Sequence, residues 1–458
     1  MGQPSAKPGT PDLLEWTITE ASPDGEAAPL SVPLPFTASS PTPVAKPRPK
    51  FDLWSWVFWA AALGFVGWMT AGLWLTPALS WQRTRSDVAR IVAQEERAAL
   101  AKQPEAVTKL SDAYYQFWAE AQALRARNGQ AAPLPLPMLR PVPEAGRIQS
   151  FATFTSDTIQ VDVARRFTTP EGIPYTFALS QFYRFDGKWW RVPAPEQFWG
   201  DKTSRSGQRI TLNYYAVDEA LAAELIPYLD DLLARACAAW RCSNEFHITL
   251  NLTSTYYQSG EALPSLSPDD PLLLMMLPPH VSRWPDYVVH FPSPHAAGYP
   301  VEASGKTLFK RAIAIQILFA AADRLAFVEG GQPDSTGNAF FYALVARLTV
   351  NLDFDQSAPT HLAAEPVIAP LTTDKMWGLR FQVGRRPESV RQALALLNLV
   401  LADHNLSAGT DVELLHTFGA APGLADWLSA GMGISPTEAE ARVELAQRQL
   451  NGGTAPSP

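Results

Sequence analysis

The thirty residues from Leu53 to Gln82, LWSWVFWAAALGFVGWMTAGLWLTPALSWQ, carry no charge, and no other stretch restricts the chain as much. An α-helix rises about 1.5 Å per residue, so Leu53 to Leu75 would cover the roughly 30 Å hydrocarbon core of a bilayer. Trp54, Trp56 and Trp59 stand near one end and Trp74 and Trp81 near the other, where amphipathic indoles favour the headgroup level. The run predicts a transmembrane helix over residues 53–76. It begins too late and runs too long for a cleaved secretory signal, so it is expected to stay as an anchor. Lys46, Arg48 and Lys50 on one flank nearly match Arg83, Arg85 and Arg90 on the other, and charge alone does not set the orientation. A large folded part after the anchor is the usual exported cargo. The expected placement is therefore a single-pass protein of the cell membrane, N-terminus in the cytoplasm and C-terminal domains outside it.

Residues 1–50 hold eleven prolines among Ser, Thr, Ala and Gly, too little apolar surface to offset the entropy of ordering, and are expected to be disordered. Asp12 to Glu20, DLLEWTITE, is an apolar island of the kind that folds onto a partner's groove or simply punctuates a linker. Residues 451–458 read as a second disordered end. A net charge of −8 argues against a nucleic-acid partner, since that binding relies on Lys and Arg neutralising phosphates. Only two cysteines occur, Cys237 and Cys242, which excludes a disulfide scaffold and a multi-cysteine zinc site. Five residues apart on one helix they would point to nearly opposite faces; a disulfide between them requires the helix to stop near Trp240.

The fold class read from the remaining pattern is α+β, in two domains. In residues 84–202, Arg85 to Ala101 and Ala106 to Arg127 read as helices, and Ile159, Val161 and Val163, then Tyr175, Phe177 and Leu179, alternate as half-buried strands. Asp186-Gly187 supplies a tight hairpin turn between Tyr183-Arg184-Phe185 and Trp189-Trp190-Arg191. Helices followed by a curved sheet closing on FYRFDGKWWRVPAPEQFWG resemble the nuclear-transport-factor-like fold of the SnoaL and ketosteroid-isomerase type. That resemblance implies a cone enclosing an apolar pocket, with an Asp or His inside it in the enzymes. Here no histidine precedes His247, and Asp157 and Asp162 sit where solvated strand ends and faces would put them. Tyr114, Trp118, Phe177 and Tyr183 are the residues that would line a ligand pocket, or else plain core.

In residues 208–450, strands come first (Ile210 to Tyr215, Phe246 to Leu252, Leu272 to Leu277, Tyr287 to Phe291) around a long helix from Asp218 to Ala239. Helices follow at Lys306 to Phe327, Asn338 to Leu352 and Glu388 to Asn405. This order, with Ser293-Pro294 and Gly298-Tyr299-Pro300 before an apolar central helix and LLHTFGAAPGLADWLSAGM near the end, resembles the gluzincin-like peptidase MA superfamily. Such a zincin needs H-E-x-x-H to bind zinc and activate water. The helix here reads KTLFKRAIAIQILFAAADRLAF, with Gln316 the one polar residue between Ala312 and Ala322. The resemblance then implies a peptidase-like domain that keeps the fold without the chemistry, with no catalytic residue, metal or cofactor assigned.

Two further motifs fall short. Ser304-Gly305-Lys306-Thr307 ends like a phosphate-binding loop, but Pro300 stands where its first glycine belongs. His280, His290 and His295, with Asp286 or Glu302, would be the ligands if the chain were an exported metal-dependent hydrolase with an atypical site. The leading expectation is a non-catalytic binding or interaction protein, its partner a protein or small molecule besides the bilayer itself, relaying to the cytoplasmic tail. A membrane-bound regulator resembling anti-sigma factors is the third reading.

Overall fold

The computed structural model describes residues 53–136, 139–169, 172–254, 280–282, 288–328, 338–350, 352, 377, 387–402 and 408–451. The tail with its Asp12 to Glu20 island, the strand expected at Leu272 to Leu277, and the C-terminal end from residue 452 lie outside these. Contacts divide the chain into two units between Gly72 and Leu73.

The first described element, α1 (Leu53–Leu100), overturns the expected membrane span. Among the described residues no helix is long and apolar enough to cross a membrane. The run from Leu53 to Gln82 lacks charge, but six tryptophans, three glycines, four serines and threonines, a proline and a glutamine make up half of it. Absence of charge is not high hydropathy: serine, threonine, glutamine, glycine and proline add little to it, and tryptophan favours the interface over the hydrocarbon core. The helix also continues without a break through Arg83, Arg85 and Arg90 into a half that packs on protein. Trp56, Phe58, Trp59, Leu63 and Phe65 are exposed along its first turns.

In the second unit, Val88, Ile91 and Val92 of α1 bury against Ile159, Val161, Val163 and Tyr183 of a six-stranded sheet. The sheet's main strands are β2 (Arg147–Thr153), β3 (Thr158–Thr168), β4 (Pro174–Asp186) and β5 (Lys188–Val192), all antiparallel. β1 (Arg140–Pro141) pairs with β3. The β4–β5 turn runs through Gly187 at φ 67°, a backbone angle that glycine adopts without steric cost. Two short helices, α2 (Pro104–Thr108) and α3 (Gln116–Arg127), precede the sheet, and α4 (Glu196–Trp199) follows it.

A five-stranded sheet comes next, in the order β6 (Lys202–Ser206), β7 (Ile210–Tyr215), β8 (Ile248–Thr253), β10 (Val288–Pro292), β9 (His280–Ser282). The inner three strands are parallel and both edges antiparallel. Between β7 and β8 the chain crosses over through α5 (Glu219–Trp240), the helix that a parallel pair requires. After α6 (Pro294–Ala297), β11 (Tyr299–Pro300) pairs with β4, so a segment from the later half of the chain completes the first sheet.

Helix α7 (Ala303–Asp323) runs through the main core, with every residue from Ala312 to Asp323 buried. Its apolar residues point in all directions, as suits a helix surrounded by protein. It ends in a π-helical turn at Arg324–Val328 and is followed by α8 (Ala339–Val350), α9 (Pro387–Ala402), α10 (Ala408–Thr417), α11 (Leu424–Met432) and α12 (Pro436–Leu450). The architecture is α+β.

Candidate functional site

Among the described residues the second sheet is buried on one face alone. Ile210, Leu212 and Tyr214, Ile248, Leu250 and Leu252, and Val289 and Phe291 pack into the core with α5 and α7. Successive strand residues alternate sides, so Thr211, Asn213 and Tyr215, Thr249, Asn251 and Thr253, and His290 lie half-buried on the other face. The register sets Ser204, Asn213, Asn251 and His290 in one row across four strands. A cleft of about 540 Å³ opens here, within the usual range for a small-molecule site. Tyr215 and Thr253, the last residues of β7 and β8, help to line it, which puts it toward the carboxyl ends of the parallel strands, where open sheets generally bind ligands.

Its centre is a pair of side-chain amides. Asn213 Nδ2 donates to Asn251 Oδ1 at 2.7 Å. Whichever way the two amides are turned, this bond leaves one NH₂ group and one carbonyl of the pair open to a ligand. Lys202 lies on the same face, two residues before Ser204, with its ammonium 5.5 Å from the Tyr215 ring centroid. No Asp or Glu is among the lining residues.

A second polar cluster lies at α6. Ser293 Oγ donates to Asp218 Oδ1 at 2.9 Å and accepts the His295 backbone N–H at 3.1 Å, capping the helix. The His295 ring stacks on Tyr299 and meets Phe198 edge-on, with centroids 5.1 and 5.8 Å apart, and hydrogen-bonds to the Val217 backbone. Burial lowers its pKa, against the nearby Asp162 carboxylate and the Val217 bond. Burial pushes Asp218 up to about 6, against the Ser293 bond. A serine, a histidine and an aspartate thus stand together without forming a nucleophilic triad. The hydroxyl proton points at Asp218, the ring is tied to backbone, and Ser293 is fully buried.

This cluster predicts a pH dependence. Because the folded pKa of Asp218 exceeds its ordinary 3.8, its contribution to stability is complete below that value and lost as pH rises through about 6. The whole loss is about 3 kcal/mol. Asp218→Asn keeps an acceptor for Ser293 and removes the ionisation. Urea unfolding near neutral pH should show the variant more stable than wild type, with the gap closing toward about pH 4. His295 works the other way, its contribution being lost as pH falls, so the comparison is of variant against wild type at each pH. A gap that does not change with pH would rule Asp218 out as the titrating group.

The residues singled out in the sequence are dispersed. Tyr114 is 82 % exposed, Trp118 is half-buried with Arg191 over its ring, and Phe177 and Tyr183 are buried in separate core clusters. Phe177 and Tyr183 share a face of β4 but stand six residues apart, about 20 Å at a strand's rise of roughly 3.3 Å per residue. The four do not line one pocket. Asp162 accepts from Ser150, Gln160 and Ser180 at 2.5, 3.1 and 2.7 Å, a carboxylate already engaged on both oxygens. Cys237 and Cys242 are bridged, α5 ending at Trp240 and Arg241 turning left-handed at φ 59°. His290 stands opposite His280 on neighbouring strands, while His295 stacks on Tyr299. Among the described residues no three His, Cys, Asp or Glu converge as a metal site. Lys306, from the phosphate-loop lookalike, is bound with Lys310 to Glu224, whose pKa their hydrogen bonds hold at about 2.

The amide pair was missed, although a signal for it stands in the sequence. Ile210-Thr211-Leu212-Asn213 recurs as Ile248-Thr249-Leu250-Asn251, and the two copies pair residue for residue. The chain matches no protein-family model, no curated protein and no solved structure.

Proposed function

We propose that this chain is a non-catalytic binding protein that holds a small-molecule ligand in the cleft on the open face of the second sheet. The observation that carries this reading is the Asn213–Asn251 pair, half-buried in the middle of two parallel strands and lining the cleft, whose mutual bond leaves one NH₂ group and one carbonyl over. Such groups fix a ligand's orientation without breaking its bonds. The serine and histidine nearest to forming a nucleophile and base are bonded elsewhere, and the central helix α7 has Gln316 where the zincin resemblance would require histidines and a glutamate.

The test is a thermal-shift screen of the full-length chain against a broad library of small metabolites. At least one compound should stabilise wild type and have no effect on Asn251→Trp, whose indole would fill the cleft. That compound should be recovered unchanged. Its steady consumption by wild type, lost in His290→Ala, would replace this reading with a hydrolase or another enzyme.

A further inference from the structure

We propose that the ligand of this cleft is an anionic polyol, a sugar acid or a sugar phosphate, an inference that rests on the binding function just proposed. The argument starts from charge. The chain carries 45 acidic residues and a net charge of −8, yet the eleven residues lining the cleft contain neither Asp nor Glu. Arg205, on the same strand, binds Glu219 at 2.5 Å. Lys202 differs, its ammonium meeting the face of Tyr215 and no carboxylate among the described residues. A cation left unmatched beside a half-buried polar row is complementary to an anion.

Hydrogen-bonding capacity then narrows the chemistry. A carboxylate only accepts, and so would satisfy Lys202 and the open amide NH₂ but leave the open amide carbonyl without a donor, while inorganic phosphate near neutral pH brings only one or two hydroxyl protons. A ligand that also carries hydroxyl groups supplies that donor. The hydroxyl oxygens of Thr253 and Ser254, whose protons go to the Phe291 carbonyl and the Tyr215 hydroxyl, can accept from further ligand hydroxyls, and Ser204 adds another hydroxyl along the cleft. The volume of about 540 Å³ suits a monosaccharide derivative or a short oligomer of one.

Titration calorimetry on the full-length protein, with glucuronate, glucose 6-phosphate, glucose and inorganic phosphate as probes, tests this. The expected result is binding by one or both sugar anions, weaker binding by glucose and by phosphate, and loss of affinity as salt rises. Lys202→Gln should weaken the anion about tenfold, equivalent to about 1.4 kcal/mol, and weaken glucose much less. Asn251→Trp should abolish both. If glucose binds as tightly as the anions and Lys202→Gln changes nothing, the anion inference fails and the cleft reading stands. If no probe binds, the polyol inference fails while the library screen still decides the cleft. Anion binding that survives Asn251→Trp would place the site elsewhere and overturn both.

Discussion

Ala314→Asp is expected to leave the chain without a stable fold in its second unit. Ala314 sits midway along α7 with no exposed surface, and its neighbours Ile313, Ile315, Ile317, Leu318 and Phe319 are buried to the same degree. From Ala312 to Asp323 no side of this helix faces water, and of the cations one turn earlier Lys310 is bound to Glu224 and Arg311 has an interaction of its own. An unpaired buried charge costs several kcal/mol even after it shifts its pKa and takes up a proton. Domain stability is typically about 5–15 kcal/mol, so one such change removes most of the margin. Circular dichroism and urea denaturation of the purified full-length variant should show a lost or strongly lowered transition. Ala314→Ser, whose hydroxyl can bond back to the carbonyl four residues earlier, should lose far less. A folded Ala314→Asp protein with a wild-type midpoint would show that α7 is solvated on this side.

What could be read in advance follows from how local each signal is. The alternation of Ile159, Val161 and Val163 and the Asp186-Gly187 turn are complete within a few residues, and β3, β4 and β5 stand where those signals put them. The stop of α5 at Trp240 is local as well. β6 shows no strand signal in the sequence, because Lys-Thr-Ser-Arg-Ser has no apolar residue to alternate. As an edge strand with all five residues exposed it needs none, and its charges help to discourage pairing with other chains. β11 is two residues long and joins a sheet whose partner strand lies more than a hundred residues earlier, so no window of sequence shows it. The cleft was hidden for a related reason. Asparagine is depleted in strands and reads as a turn residue, and only the parallel register of two ITLN copies makes Asn213 and Asn251 neighbours. The span at Leu53 to Gln82 is the opposite case, where absence of charge, length and flanking tryptophans point to a membrane while among the described residues no helix is long and apolar enough to cross one.

Glu96→Leu is expected to destabilise the protein by about 3–5 kcal/mol, and adding Arg165→Met to it should restore much of that loss. Glu96 on α1 and Arg165 on β3 form an ion pair beneath the first sheet, with side chains only 3 % and 9 % exposed. Glu95 and Arg191 stand beside each other in the same layer, 3.6 Å apart, and the buried Tyr183 hydroxyl lies 3.1 Å from Glu95, its pKa raised well above the usual value chiefly by burial. The Glu96–Arg165 pair is not fully satisfied, since Arg165 Nε and Nη1 have no hydrogen-bond partner. Removing the carboxylate alone strands a guanidinium in a place that water does not reach. Removing both charges and filling the space with apolar side chains takes away the desolvation penalty along with the attraction, an exchange that is often neutral or favourable. The Gly146 N–H loses its Glu96 acceptor in both variants, so that loss cancels from the difference between them. Urea denaturation of wild type and the two variants measures it. A double variant no more stable than Glu96→Leu would mean that Arg165 reaches solvent once released, and that the layer between α1 and the sheet is wetter than its burial indicates.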